Sequence, residues 1–141
     1  MYLCLIMSNL RFATAIHILV LLDKNRNELI TSDFIAGSLN VHPVVVRREI
    51  KVLREAGYIE SKKGKEGGCA LAMEANKILL GDLYKLVNKE NMLGRKNRPN
   101  PDCAIGRQMN NKLDVLFNKA EEGLVALLNK QSLKDFSDSF E

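Results

Sequence analysis

The sequence predicts a mainly α-helical chain broken once, near its middle, by a small β-hairpin. Three observations carry this. Apolar residues recur at steps of three and four through most of the chain, the spacing of a buried helical face. That rhythm stops at "YIESKKGKEGGCALAM" (58–73), where Gly64, Gly67 and Gly68 fall between two short apolar runs. The C-terminal part then carries one apolar stripe too long for a small domain to cover alone.

A chain of 141 residues is the size of one domain with an appended element, and 46% hydrophobic residues are enough for a core. With no Trp, three Tyr and five Phe, that core must be largely aliphatic. The net charge is +4, which permits nucleic-acid binding without requiring it. Its location says more: residues 43–73 carry seven Lys/Arg against four acids, and 74–104 carry six against four. The three cysteines, Cys4, Cys69 and Cys103, are odd in number and far apart. They make neither a disulfide framework nor a paired zinc site, and a reducing, cytoplasmic compartment is expected. "MYLCLIM" is too short for a signal peptide, so 1–7 reads as an N-terminal extension, with Met7 a possible natural start. No run approaches the roughly 20 apolar residues of a membrane span, and no membrane partner is expected.

The first helix is expected over 8–22, capped by Ser8 or Asn9 and stopped by "DKNRN". "TSDFIAGSLN" follows as a short helix with Thr31 as cap and Phe34, Ile35 and Leu39 inward. Asn40 suits the left-handed residue that ends it. Val41 is a staple, His42 a boundary residue, and Pro43 sits at the first helical position. The next helix runs to Gly57, burying Val46, Ile50 and Leu53 and exposing Val44, Arg47, Arg48 and Lys51. Then come the hairpin and an amphipathic helix over 78–88. A final helix of about 28 residues from Asn100-Pro101, about 40 Å long, is expected after a polar segment. Its stripe is Ile105, Met109, Leu113, Leu116, Ala120, Leu124 and Leu127, widened by Phe117 and Leu128. A second copy of the chain is its expected cover. The tail "DFSDSFE" reads as frayed. The division is 1–7 extension, 8–89 DNA-binding head, 90–101 basic linker, and 102–141 dimerisation helix and tail.

Helix, short helix, tight turn, basic helix, strand, glycine turn and strand is the order of a winged helix-turn-helix. The glycine loop is not a P-loop: no Gly-Lys is followed by Ser or Thr, and a strand, not a helix, comes next. Residues 62–68 are therefore the wing. Val44, Arg47, Arg48 and Lys51 would meet base edges in the major groove of double-stranded DNA. Lys62, Lys63 and Lys65 would reach phosphates or the minor groove, over a turn made by the three glycines. Arg11 and His42 complete the expected DNA-binding set.

The stretches "LRFATAIHILVLL", "IAGSLNVHPVVVRREIKVLREAGYIESKKGKEGG" and "ILLGDLYKLV" resemble the bacterial winged-helix regulators that include the iron–sulfur regulator IscR and the nitric-oxide sensor NsrR. The resemblance covers about residues 8 to 128. It implies a homodimeric repressor or dual regulator on an inverted-repeat promoter site, dimerising through the long helix with help from the first. Cluster-binding members carry C-x5-C-x5-C before that helix; here the positions hold Asn91, Asn97 and Cys103. One thiolate cannot hold a cluster that takes four ligands, so no cofactor is expected. The wing departs from the family's glycine-proline-glycine pattern at Lys65 and Glu66, which unsettles any borrowed target sequence.

Cys103, expected in the first turn of the long helix with Arg107 one turn on, is a candidate oxidation sensor. Backbone N–H groups, Arg95, Lys96 and Arg98 would lower its thiol pKa, against Asp102. The alternative is a small apolar filler. Cys69 is expected half-buried, Cys4 in a disordered tail, and His17 in the core. Two isolated histidines and surface acids assemble no catalytic set, so an enzyme is excluded. A protein-binding winged helix, or a regulator answering a small apolar ligand, stays open; no effector can be named.

Overall fold

The computed structural model describes the backbone of residues 2–141 and the side chains from Leu10 onward. Helix α1 spans Tyr2–Lys24. It begins before Ser8 because no Gly or Pro interrupts residues 2–7, so the expected extension is continuous with the helix. Cys4's side chain lies outside the described residues.

Helix α2 (Ser32–Leu39) is capped as its sequence demands: Thr31 Oγ1 accepts the Phe34 N–H at 3.1 Å, and Asn40 closes it at φ 55°. Ile35 and Ala36 are buried, whereas Phe34, one helical step round from Ile35, is 55% exposed and not inward as expected. Helix α3 (Pro43–Glu55) starts on His42, whose Nδ1 accepts the Val44 N–H at 3.1 Å. It buries the expected Val46, Ile50 and Leu53, and one residue that was not expected, Glu49.

Strands β1 (Ile59–Lys62) and β2 (Gly68–Leu71) pair antiparallel, from Ile59 opposite Leu71 to Lys62 opposite Gly68. Ile30 adds a one-residue third rung, exchanging both backbone hydrogen bonds with Cys69 at 2.8 and 2.9 Å. After a 3-10 turn at Ala75–Lys77 comes α4 (Leu80–Val87), then α5 (Gly106–Leu128) and α6 (Leu133–Ser137). The core is aliphatic, centred on Ile18, Leu19, Leu22, Ile35, Val46, Leu53, Ile78, Leu83 and Leu133.

The C-terminal third corrects three expectations. First, α5 starts at Gly106, so it is about 35 Å long. Asn100 turns the chain instead of capping a helix: its Oδ1 accepts the Asp102 N–H at 2.9 Å, and residues 101–105 form turns. Second, the basic linker is an ordered strap running antiparallel along α5. Asn91 Nδ2 donates to the Phe117 carbonyl at 3.3 Å, Lys96 pairs with Asp114, and Asn110 Nδ2 donates to the Asn97 carbonyl at 2.9 Å. Third, the tail is not frayed. α6 opens on a capping box, in which Ser132 and Asp135 satisfy each other's backbone N–H, and it sinks Leu133 into the core against α1.

No residue of α5 is buried. Its C-terminal half rests on α4, where Gly81 makes close approach possible: a Cβ there would lie 2.4 Å from both the Val125 carbonyl oxygen and Asn129 Oδ1. Asn129 then bridges back, accepting the Asp82 N–H at 3.0 Å and donating to the Asp82 carboxylate at 3.2 Å.

Candidate nucleic-acid interface

The face of α3 opposite Val46, Ile50 and Leu53 presents Val44, Arg47, Arg48 and Lys51 to solvent. Pro43 and the His42 cap fix where the helix begins, and so where these side chains project. Between α3 and the hairpin lies a concave cleft of about 520 Å³. Arg47, Lys51, Arg54, Lys62 and Lys63 line it, with Thr31 and Ser32 at the start of α2, and no acidic side chain does so. Four of the expected residues thus converge. Arg54 was missed: its Nη1 donates to Ser61 Oγ at 3.0 Å, tying helix to hairpin, and its sequence signal was only its place one turn after Lys51 on the basic face. Arg48 and Lys65 are exposed but stand outside the cleft. Asp33 approaches Arg47 at 3.6 Å with both side chains open to water, a contact weak enough to exchange for a phosphate or a base.

The wing turn depends on its glycines. Gly64 sits at φ 110°, and a Cβ on Gly67 would fall 2.1 Å from the Lys62 carbonyl oxygen. A Cβ on Gly68 would press on the Ile30 backbone at 2.9 Å. Cys69 is buried, not half-buried, because the Ile30 rung covers it, and burial pushes its thiol pKa up.

Arg11, expected at the DNA, and His17, expected in the core, both make side-chain contacts that link α1 to its neighbours. Arg11 is turned inward: its Nε donates to Glu49 Oε1 at 2.9 Å and its Nη2 to Oε2 at 3.4 Å. Its guanidinium thus ties α1 to the inner side of α3. His17 is half-exposed rather than in the core, and its Nε2 lies 2.9 Å from Ser38 Oγ, linking α1 to α2. His42 is exposed and acts as the α3 cap.

Cys103 is exposed in the turn that precedes α5, not in its first turn, and its Sγ accepts the Gly106 N–H at 3.3 Å. Hydrogen bonds from the backbone N–H groups of Gly106 and then Ile105 hold its thiol pKa below the ordinary value. The linker cations do not supply this shift: Lys96 is paired with Asp114, and Arg95 lies 3.2 Å from Glu90. Arg107 is exposed, joined to Cys103 through its backbone N–H at 3.0 Å. At the two other positions of the cysteine pattern, the Asn91 side chain and the Asn97 backbone carbonyl make hydrogen bonds that hold the strap. An iron–sulfur cluster does not fit this donor set, because one thiolate and two amides lack the required thiolates. Among the described residues no group of three or more His, Cys, Asp or Glu is placed to hold a metal.

The Rrf2 family model, described as an iron-dependent transcriptional regulator, matches residues 8–139. The chain belongs to the Rrf2 family. Like other Rrf2 proteins it is a transcriptional regulator and not an enzyme. YwnA of Bacillus subtilis (strain 168), named as an HTH-type transcriptional regulator, is 38% identical over 130 residues, spanning 92% of this chain and 96% of YwnA. A crystal structure from Lactobacillus plantarum superposes with a TM-score of 0.80 at 27% identity, covering 92% of this chain and 88% of that one. T. potens IscR has a TM-score of 0.67 at 19% identity, covering 93% and 85%, a likeness that bears on the fold. No helix among the described residues of this Rrf2 protein is long and apolar enough to cross a membrane.

Proposed function

We propose that this Rrf2 protein is a sequence-specific DNA-binding repressor that acts as a homodimer on an inverted-repeat operator, without an iron–sulfur cluster. The observation that carries the DNA reading is the cleft between α3 and the hairpin, lined by five cations and no acid. The N-terminal half of α3 enters the major groove, where Arg47 and Arg48 offer forks to guanine O6 and N7 and Val44 meets a thymine methyl. Each good bidentate pair gives about 1–3 kcal/mol of discrimination. Lys62, Lys63 and Lys65 on the wing bind phosphates or enter the minor groove.

The dimer reading is supported by α5. Ile105, Met109, Leu116 and Leu127 are largely exposed, and Leu113, Ala120 and Leu124 are only half covered by their own chain. A contiguous apolar stripe of this length on an isolated protein marks an interface. A second copy supplies the matching stripe and places two heads on two half-sites.

Cys103 supports a redox response. Its stabilised thiolate is open to solvent, so a peroxide can transfer oxygen to sulfur, giving the sulfenic acid and hydroxide. Condensation with the partner subunit's Cys103 then gives a disulfide and releases water.

The test is selection of bound duplexes from a random pool with reduced protein, then again after mild peroxide treatment. An enriched inverted repeat is the expected outcome. Loss of binding on oxidation, abolished in Cys103→Ser, supports the sensor; unchanged oxidative release in that variant removes it. If no sequence is enriched, a protein-binding module becomes the better account.

A further inference from the structure

The recognition helix carries a carboxylate on its inner side. Glu49 follows Arg47 and Arg48 directly, yet its side chain is 2% exposed and paired with Arg11 of α1, whose side chain is 27% exposed. The other inward residues of α3 are Val46, Ile50 and Leu53. Aliphatic contacts of this kind set how deeply a helix is seated but tolerate small rotations, because the attraction is not directional. A two-pronged guanidinium–carboxylate contact is directional, and buried ionic groups are best attested as devices that fix one arrangement, not as sources of stability.

The geometry of a helix makes the rotation matter. A turn of about 20° around the α3 axis carries a side-chain tip about 6 Å from that axis through about 2 Å. That displacement exceeds what a bidentate hydrogen bond to a base edge accepts. Phosphate contacts by flexible lysines absorb such a shift, since the ammonium is a point charge on a long stem.

We propose that Arg11 and Glu49 form a positioning pair that sets the rotation of α3 about its axis, and through it the sequence specificity of DNA binding. The inference rests on the DNA reading above. Arg11 touches no base; it acts through Glu49, and Glu49 acts through the helix that carries Arg47, Arg48 and Lys51.

The experiment compares the affinity of each protein for its selected operator and for a scrambled duplex of equal length, at fixed salt. Full-length wild type, Glu49→Gln, Arg11→Gln, Arg11→Lys and the double variant Arg11→Leu/Glu49→Leu are measured, with thermal melting alongside. Disrupting the pair is expected to lower operator affinity by about tenfold or more, the scale of one lost bidentate base contact, while scrambled-duplex affinity stays within about twofold. Arg11→Lys keeps the charge and lacks the fork, so it should fold and still lose discrimination. The double variant replaces the pair by apolar side chains and is expected to regain melting temperature without regaining discrimination. Either of two results overturns the proposal: Arg11→Lys and the double variant discriminate as wild type does, or both duplexes weaken in parallel with stability. Wild type that fails to discriminate removes the DNA reading itself, and with it this role; wild type that discriminates while the folded variants do so equally removes only the pair.

Discussion

At Gly67 the wing has no room for even a methyl group, because the Lys62 carbonyl oxygen occupies that space. Gly67→Ala is therefore expected to open the hairpin tip and scatter Lys62 and Lys63. Operator affinity should fall several-fold, with a shallower dependence on salt as phosphate contacts are lost. Binding titrations at two or more salt concentrations check this, and an unchanged slope would mean that the wing lysines do not touch phosphate. Single residues also mark where reading a sequence stops. Thr31, Asn40, Pro43 and Gly64 announce themselves because each serves its own backbone, a requirement visible within four or five positions. Glu49 does not. Within "RREIK" it looks like one more solvated charge, and only Arg11, 38 positions away, turns it inward.

Among the elements, the helices with strong apolar periodicity and the hairpin were legible, and the ends of the chain's segments were less so. The 133–137 helix was overlooked because five residues carry no periodicity. Its signal was Ser132 followed three residues later by Asp135, and its stability comes from Leu133 seated against distant α1. That capping carboxylate makes a pH prediction. Hydrogen bonds from the Ser132 backbone N–H and hydroxyl hold the Asp135 pKa below its ordinary 3.8. A depressed carboxylate stabilises the fold above its unfolded pKa, and that contribution is lost as pH falls through the lower folded value. Detachment of α6 is thus expected only in acid below about pH 4, and Asp135→Asn should remove this pH-dependent part; amide exchange of residues 133–137 reads it. The seat of α5 gives a second prediction. Gly81→Val would drive a side chain into the Val125 carbonyl and Asn129, and should unseat α5 while leaving the head folded. Loss of amide protection near Asn129, with α3 protection kept, is the expected pattern.

For the molecule as a whole, the apolar stripe of α5 made the long C-terminal helix legible, since its spacing needs only the sequence. The strap along α5 was not predicted, because Asn91, Lys96 and Asn97 are polar residues whose partners lie up to 26 positions away. In the proposed dimer, Leu116, well exposed on one chain, lies in the seam. Leu116→Glu should convert a dimer into monomers by sedimentation, with operator affinity falling far more than affinity for a single half-site; a dimer that persists would place the seam elsewhere.

α5 is bound to its own head along both halves, by the strap over its first part and by α4 and Asn129 at its end. In the proposed dimer, two heads joined through such arms would not swivel independently. Adding one base pair between half-sites turns one of them by about 35° around the DNA axis and moves it about 3.4 Å along it. A floppy tether would follow that change with little loss. The braced arm should refuse it, so this regulator would count the bases between its half-sites as strictly as it reads the bases within them.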